Sequence, residues 1–330
     1  MSEENRAPQK RTLLSHTPDL RVLDATVRDG GLVNDFYFKD EFVKALYKAN
    51  VKSGVDYMEF GYRASKDMFD PEKFGKWKFS SDDDIRAIVG DNPTDMKISI
   101  MADAGRTDYK EDIRPRNESP VDLVRVATYI HTIPTAVAMI EDAHEKGYET
   151  SANIMAISKC SGIEVESALE ILGNSPVDTL YIVDSYGSLY PEQTRILLDR
   201  FLESADRYGK KVGMHAHNNQ QLAFANTIEA IVKGACYVDG TVSSLGRGAG
   251  NCALELLLCF LKNPKYRIDP ILSFIEKEIL PLRESGLSWG YDVPYLMTGI
   301  LNQHPRAAIQ FEKEKRTDYR QFYIDILDTF

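Results

Sequence analysis

With 330 residues, 43% of them hydrophobic and 27% charged, the chain is too long for a stapled peptide and too apolar to stay disordered. Forty basic against fifty acidic residues leave a formal charge of −10, which argues against a nucleic-acid partner but allows a local basic pocket around an anionic substrate. No apolar run approaches the ~18 residues of a membrane span, the N-terminal MSEENRAPQKR has no signal-peptide core, and Cys160, Cys236, Cys252 and Cys259 lack C-x-x-C spacing. The expectation is a soluble cytoplasmic enzyme.

Residues 1–20 are polar and aperiodic and read as a tail or cap. From there short β-branched runs alternate with longer amphipathic stretches. The expected strands are Arg21–Thr26, Val55–Phe60, Lys97–Met101, Leu123–Ala127, Glu149–Met155, Thr179–Val183, Lys211–His217 and Tyr237–Val242. Stretches such as Thr135–Gly147, Glu164–Leu172 and Leu222–Gly234 carry helical periodicity between them. Eight such units in about 240 residues predict an α/β fold, a closed (β/α)8 TIM barrel over 21–262. A doubly wound sheet would place a glycine-rich phosphate turn after the first strand, and none stands there. Beyond Asn263 the rhythm stops, and 263–330 reads as a C-terminal helical region broken by Pro270, Pro281, Pro294 and Pro305. It covers one end of the barrel or forms an oligomer interface.

A barrel of this kind works at the C-terminal ends of its strands. The first strand runs into Arg28, Asp29, Gly30 and Gly31, a cation and a carboxylate where the backbone can approach a ligand. The seventh carries His215-Ala216-His217, and residues two apart on a strand share a face, so both imidazoles project together as a metal-ligand pair. The eighth is followed by Gly246-Arg247-Gly248-Ala249-Gly250-Asn251, in which Gly248 and Gly250 are candidates for a backbone anion site. Closing the barrel brings Asp29, His215, His217 and Asn251 to one sector of the rim, a mixed nitrogen and oxygen donor set for a divalent cation. Ser185, after the sixth strand, is placed to donate to a substrate carboxylate. Glu59 is expected to point into the barrel mouth. Tyr62, Arg63, Asp103, Arg106 and Tyr186 stand at other strand ends.

Taken together, these motifs make the chain resemble the metal-dependent aldolase and lyase barrels that include 4-hydroxy-2-oxovalerate aldolase, hydroxymethylglutaryl-CoA lyase and isopropylmalate synthase. LDATVRDGG is similar to the opening D-x-T-x-R-D-G signature, MHAHNN to H-x-H-N, VDSYG to D-[ST]-x-G, and GRGAGNCALE to the glycine-rich turn of the hydroxy-oxovalerate aldolases. The resemblance implies Mn2+, Mg2+ or Zn2+ held by Asp29, His215 and His217, with Asn251 nearby. It implies that Arg28 steadies an enolate of pyruvate or a related 2-oxo acid, with an aldehyde as the second small molecule. It also implies a tyrosine from the C-terminal region at the site, Tyr295 or Tyr291, and a homodimer formed through the helical tail.

Two positions depart from those families. The hydroxy-oxovalerate aldolases usually carry a histidine where Leu32 stands, and the Claisen-type synthases a glutamate where Gly31 stands. The proton must therefore come from a metal-bound water or from another strand end, with Tyr62 and Asp103 as the side-chain candidates. An aldolase is the leading reading. The alternatives are a Claisen-type acyl-CoA synthase and a barrel that serves as a non-catalytic partner subunit.

Overall fold

The computed structural model describes residues 19–327. Eight parallel strands close into one barrel in the order of the chain. They are β1 Arg21–Asp24, β2 Tyr57–Tyr62, β3 Lys97–Asp103, β4 Leu123–Thr128, β5 Glu149–Ile154, β6 Thr179–Asp184, β7 Lys211–Ala216 and β8 Tyr237–Gly240. Closure runs through β1 and β8, where Arg21 pairs with Tyr237 and Leu23 with Asp239. The helices between the strands fall close to the sequence periodicity, at Ile133–Glu145, Gly162–Gly173 and Ala223–Lys233. Local chemistry explains their starts. Ser161 Oγ accepts from the amide of Glu164 at 3.3 Å, and the Glu164 carboxylate accepts from the amide of Ser161 at 2.7 Å, a reciprocal cap.

Alternation along the strands sorts the core into an outer and an inner part. Outward residues such as Val22, Met58, Ile98, Val124, Leu180 and Val238 form the apolar layer beneath the helices. The barrel interior is less apolar. Its lowest level holds Tyr57 and Tyr237, whose hydroxyls both donate to Glu149. Above them lie the buried side chains of Glu59, Arg125, Tyr181 and Asp239. Gly213 makes room here, because a Cβ at that position would stand 2.5 Å from the Tyr181 ring.

Most strand ends shift by a residue or two from the sequence expectation, and three differences bear on the site. Leu20, read as tail, is 1% exposed and lies in the core, whereas residues 1–18 lie outside the described residues. β1 stops at Asp24, so Arg28 and Asp29 sit on a helical turn, Thr26–Gly30, and not on the strand itself. The cause is Asp24, whose carboxylate accepts from the Thr26 amide at 3.1 Å and from Asn50 Nδ2 at 2.7 Å. The Thr26 hydroxyl in turn accepts from the Val242 amide at 2.8 Å, tying this turn to the segment after β8. Third, β2 extends to Tyr62 through an irregularity between Glu59 and Tyr62.

The C-terminal region packs at two places. Its first helix, Asp269–Phe274, lies on helix Asp40–Ser53, with the Phe42 and Phe274 rings 5.2 Å apart. Helices Val293–Ile300 and Arg306–Lys313 close over the C-terminal end of the barrel, where Gly299 meets Asn219 and Asn302 Nδ2 donates to the Ser158 carbonyl at 2.8 Å. No helix among the described residues is long and apolar enough to cross a membrane.

The irregularity in β2 depends on Gly61, which has φ +150° and would bring a Cβ to 2.0 Å from the Trp77 carbonyl. Gly61→Ala is expected to lower unfolding stability by about 2–3 kcal/mol through strain and displacement of Trp77, measured by urea denaturation.

Candidate metal centre and active-site cavity

Three buried donors converge at the C-terminal end of the barrel. Asp29 Oδ2 lies 3.2 Å from His215 Nε2 and 3.7 Å from His217 Nε2, and all three ligand atoms fall within 4.8 Å of one another. Asn251 completes the sector, its Nδ2 3.0 Å from Asp29 Oδ2 and 3.2 Å from His215 Nε2. Gly246 permits this approach, since a Cβ there would meet Asn251 Oδ1 at 1.8 Å.

Behind the donors runs a closed ring of buried charges. Asp29 accepts from Arg28 Nη1 at 2.7 Å, and Arg28 Nε donates to Glu59 at 2.8 Å. Glu59 also accepts from Arg125 Nη1 at 3.0 Å, and Arg125 Nη2 donates to Asp239 at 2.5 Å. Asp239 holds His215 Nδ1 at 2.9 Å, which turns Nε2 toward Asp29 and closes the circuit. Burial alone would push the Asp29 carboxyl up, but Arg28 and the two imidazoles outweigh it and hold it well below the usual carboxylate range. Burial likewise opposes a charge on His215, yet its hydrogen bonds to Asp239 and Asp29 raise it above an ordinary histidine. Burial drives His217 down to about 3, so that imidazole is neutral and fit to donate a lone pair.

The donor set therefore suits a divalent cation on grounds of charge. Three carboxylates (Asp29, Glu59 and Asp239) face two guanidiniums (Arg28 and Arg125), so the ring is net negative once His215 gives up its proton to bind an ion. Asn251 Oδ1 is buried with no partner, an amide oxygen whose hydrogen-bonding need an ion would meet.

A cavity opens from this centre. Arg28, Leu32, Tyr62, Asn153, Ser185 and Arg247 line it together with both histidines, and Met101, Ala127, Met155 and Val183 supply apolar walls. Most of these are the inward-facing residues at the ends of β3 to β7, as strand alternation requires. The Ser185 hydroxyl accepts from the Ala156 amide at 2.9 Å, a bond that leaves its own proton available for donation.

The family model described as HMGL-like matches residues 19–276. The chain belongs to the HMGL-like family. It is 27% identical over 308 residues to a 4-hydroxy-2-oxovalerate aldolase from Bacillus cereus, covering 90% of this chain and 88% of that protein. It is also 27% identical over 303 residues to an oxaloacetate decarboxylase from Mycobacterium tuberculosis, covering 88% and 86%. Among solved structures, the N-terminal domain of a candidate aldolase from Bacteroides vulgatus is 27% identical, covers 88% of this chain and 96% of that one, and superposes with a TM-score of 0.75. Hydroxymethylglutaryl-CoA lyase from Pseudomonas aeruginosa shares the fold at 17% identity, with a TM-score of 0.67 and coverage of 84% and 97%.

Not every expected site residue of this HMGL-like chain reaches the cavity. Tyr295 does not: its hydroxyl donates to Glu312 at 2.7 Å, and its ring packs with Ala249, Ala308 and Phe311 under the glycine-rich turn. Tyr291 is 54% exposed. Gly248 and Gly250 form no anion cradle. The amides of Ala249, Gly250 and Asn251 are bound to Asn219, Arg247 and Ser244, so the turn seats Asn251 and Arg247 rather than a ligand. Arg63 is turned away to Asp82 at 2.6 Å. Asp103 does not line the cavity, and burial raises its carboxyl above the usual range. From the C-terminal region it is His304 that reaches the mouth, 3.2 Å from Arg247 Nη1.

Sequence reading missed Arg125 and Asp239. Each is a lone charge at an inward position of an otherwise apolar strand, and that placement is the signal that could have found them. Removing one partner from such a pair leaves buried charge uncompensated. Arg125→Met should therefore cost about 3–5 kcal/mol in chemical denaturation, far more than a surface change. Tyr295→Phe is expected to keep its turnover, because the lost hydroxyl serves Glu312 and not the cavity; steady-state kinetics would check this.

Proposed function

We propose that the chain is a divalent-metal-dependent aldolase that forms or cleaves a carbon–carbon bond through the enolate of pyruvate or a related 2-oxo acid, with an aldehyde as partner. The observation that carries this reading is the buried Asp29, His215 and His217 triad facing a cavity lined by Arg28, in a chain of the HMGL-like family. A Mn2+, Mg2+ or Zn2+ ion held by these residues supplies Lewis acidity toward the 2-oxo oxygen.

The chain's own residues do the rest. Arg28 is buried and fixed by Asp29 and Glu59, so its positive charge stands ready where enolate charge develops and needs no reorganisation. Ser185 offers a hydroxyl to the carboxylate. Met101, Met155, Val183 and Leu32 exclude water from the remaining wall and present an apolar face to the aldehyde.

The structure weighs against a Claisen-type synthase. A Cβ at Gly31 would lie 2.1 Å from the Phe36 ring, so no glutamate fits at that position without displacing Phe36. A second reading, decarboxylation of a 2-oxo acid bearing a carboxylate on C3, is favoured by Leu32 in the cavity wall. Loss of CO2 yields the enolate with no proton to remove, and one relative of this chain is an oxaloacetate decarboxylase. Cytoplasmic location and a homodimer remain part of the proposal, resting on composition and on the family resemblance.

Purified protein is expected to bind one Mn2+ per chain by calorimetry, and His215→Ala to abolish that binding with the fold retained. In the loaded protein, Arg28→Ala should slow metal-dependent deuterium exchange at the pyruvate methyl group by about 10²–10³-fold, followed by proton NMR. Absence of divalent-ion binding in the wild-type chain would overturn the assignment.

A further inference from the structure

Just behind the cavity wall lies a buried lysine. Lys78, on the turn Lys76–Lys78 that follows β2, is only 8% exposed. Its Nζ lies 4.6 Å from the centroid of the Tyr62 ring, 4.2 Å from Phe69, 5.1 Å from Phe36 and 5.8 Å from Phe74. Four aromatic faces around one desolvated ammonium are each favourable. Phe36 joins this cage to the missing acid/base: the ring that fills the space over Gly31 also stands edge-on to Tyr62, with centroids 5.7 Å apart.

Tyr62 is the one member of the cage that also lines the cavity, together with Leu32 and Arg28. The backbone irregularity at Gly61 turns it there. We propose that Lys78 positions Tyr62 and, through the ring face, makes its hydroxyl the acid/base of the carbon–carbon bond step. The proposal rests on the aldolase reading above.

In cleavage, the Tyr62 phenolate takes the proton of the substrate's C4 hydroxyl as the C3–C4 bond breaks. The electron pair passes to C3 to give the enolate, the aldehyde leaves, and the phenol returns its proton to C3. Addition runs the same transfers backwards, so no outside oxidant or reductant is needed.

Charges on every side bear on this pair. Burial opposes ionisation of Tyr62 more than Arg28 favours it, and with Asp103, Asp29 and Glu59 it holds the phenol above an ordinary tyrosine. Lys78 faces Asp103, which favours its charge, and Arg106, which opposes it, while burial lowers it below an ordinary lysine. Asp103 Oδ1 is buried without a hydrogen-bond partner. An ammonium on the ring face stabilises phenolate over phenol, which offsets part of the rise at Tyr62.

The test compares the wild type with Tyr62→Phe, Lys78→Met and Lys78→Arg, first in the metal-free protein. The ultraviolet phenolate signal that disappears in Tyr62→Phe should move to higher pH in Lys78→Met and return toward the wild type in Lys78→Arg. Circular dichroism melts confirm that each variant is folded. In the metal-loaded protein, cleavage of a 4-hydroxy-2-oxo acid should fall by about 10²–10⁴-fold in Tyr62→Phe. In Lys78→Met it should fall about tenfold or more, with the acid limb of kcat/KM shifted to higher pH. Decarboxylation of oxaloacetate forms the enolate without a base, so only its final protonation at C3 should slow in Tyr62→Phe. Loss of both reactions in the wild type as well would sink the aldolase reading itself. An unshifted phenolate signal in Lys78→Met, or full cleavage by Tyr62→Phe, would overturn the role of Lys78 and leave the proton transfer to solvent.

Discussion

The interior of this barrel is organised by the circuit of buried charges that joins Asp29, Arg28, Glu59, Arg125, Asp239 and His215. Burying ions is expensive, and such pairs offset that cost only when geometry is good and further hydrogen bonds satisfy the remaining atoms. Here each carboxylate bridges at least two partners, although Glu59 Oε1 and Arg125 Nε are buried without one, and the Arg125 guanidinium also lies 4.5 Å from the centroid of the Tyr181 ring. The circuit fixes both rotamer and tautomer at the donors: His215 can present Nε2 because Asp239 claims Nδ1, and Asp239 is held by Arg125. A site assembled from five separate strands and loops thus behaves as one rigid unit, which is what preorganised electrostatics requires.

Close packing at a few glycines shapes the space around that unit. Gly246 admits Asn251 to the donor set, Gly61 turns Tyr62 into the cavity wall, and Gly31 accepts the ring of Phe36. The last of these links two places. The ring that fills the space over position 31 also builds the aromatic surroundings of Lys78, so one side chain shapes both. The C-terminal helices act at longer range. They cover the mouth and deliver His304 to Arg247, while Tyr295 supports the glycine-rich turn from beneath.

Much of this was legible in the chain itself. The alternation of strands and helices, the closed barrel and the convergence of Asp29, His215, His217 and Asn251 follow from periodicities two and 3.6 residues long and from the parallel order of βα units. These are local patterns, and local patterns survive in a one-dimensional reading. The same holds for the departures at Gly31 and Leu32, since a missing side chain is visible without a structure. What only the tertiary structure decided is which partners those residues meet. Arg125 and Asp239 are 114 positions apart and pair because β4 and β8 face each other across a closed barrel. Tyr295, placed near the site by resemblance, is drawn to Glu312 by a contact within its own helical region. Lys78 reads in the chain as one more surface lysine, and only the folding of two loops around it makes it a buried cation among rings. Pairing across the barrel and between loops depends on distances set by the whole fold, and no window of sequence contains them.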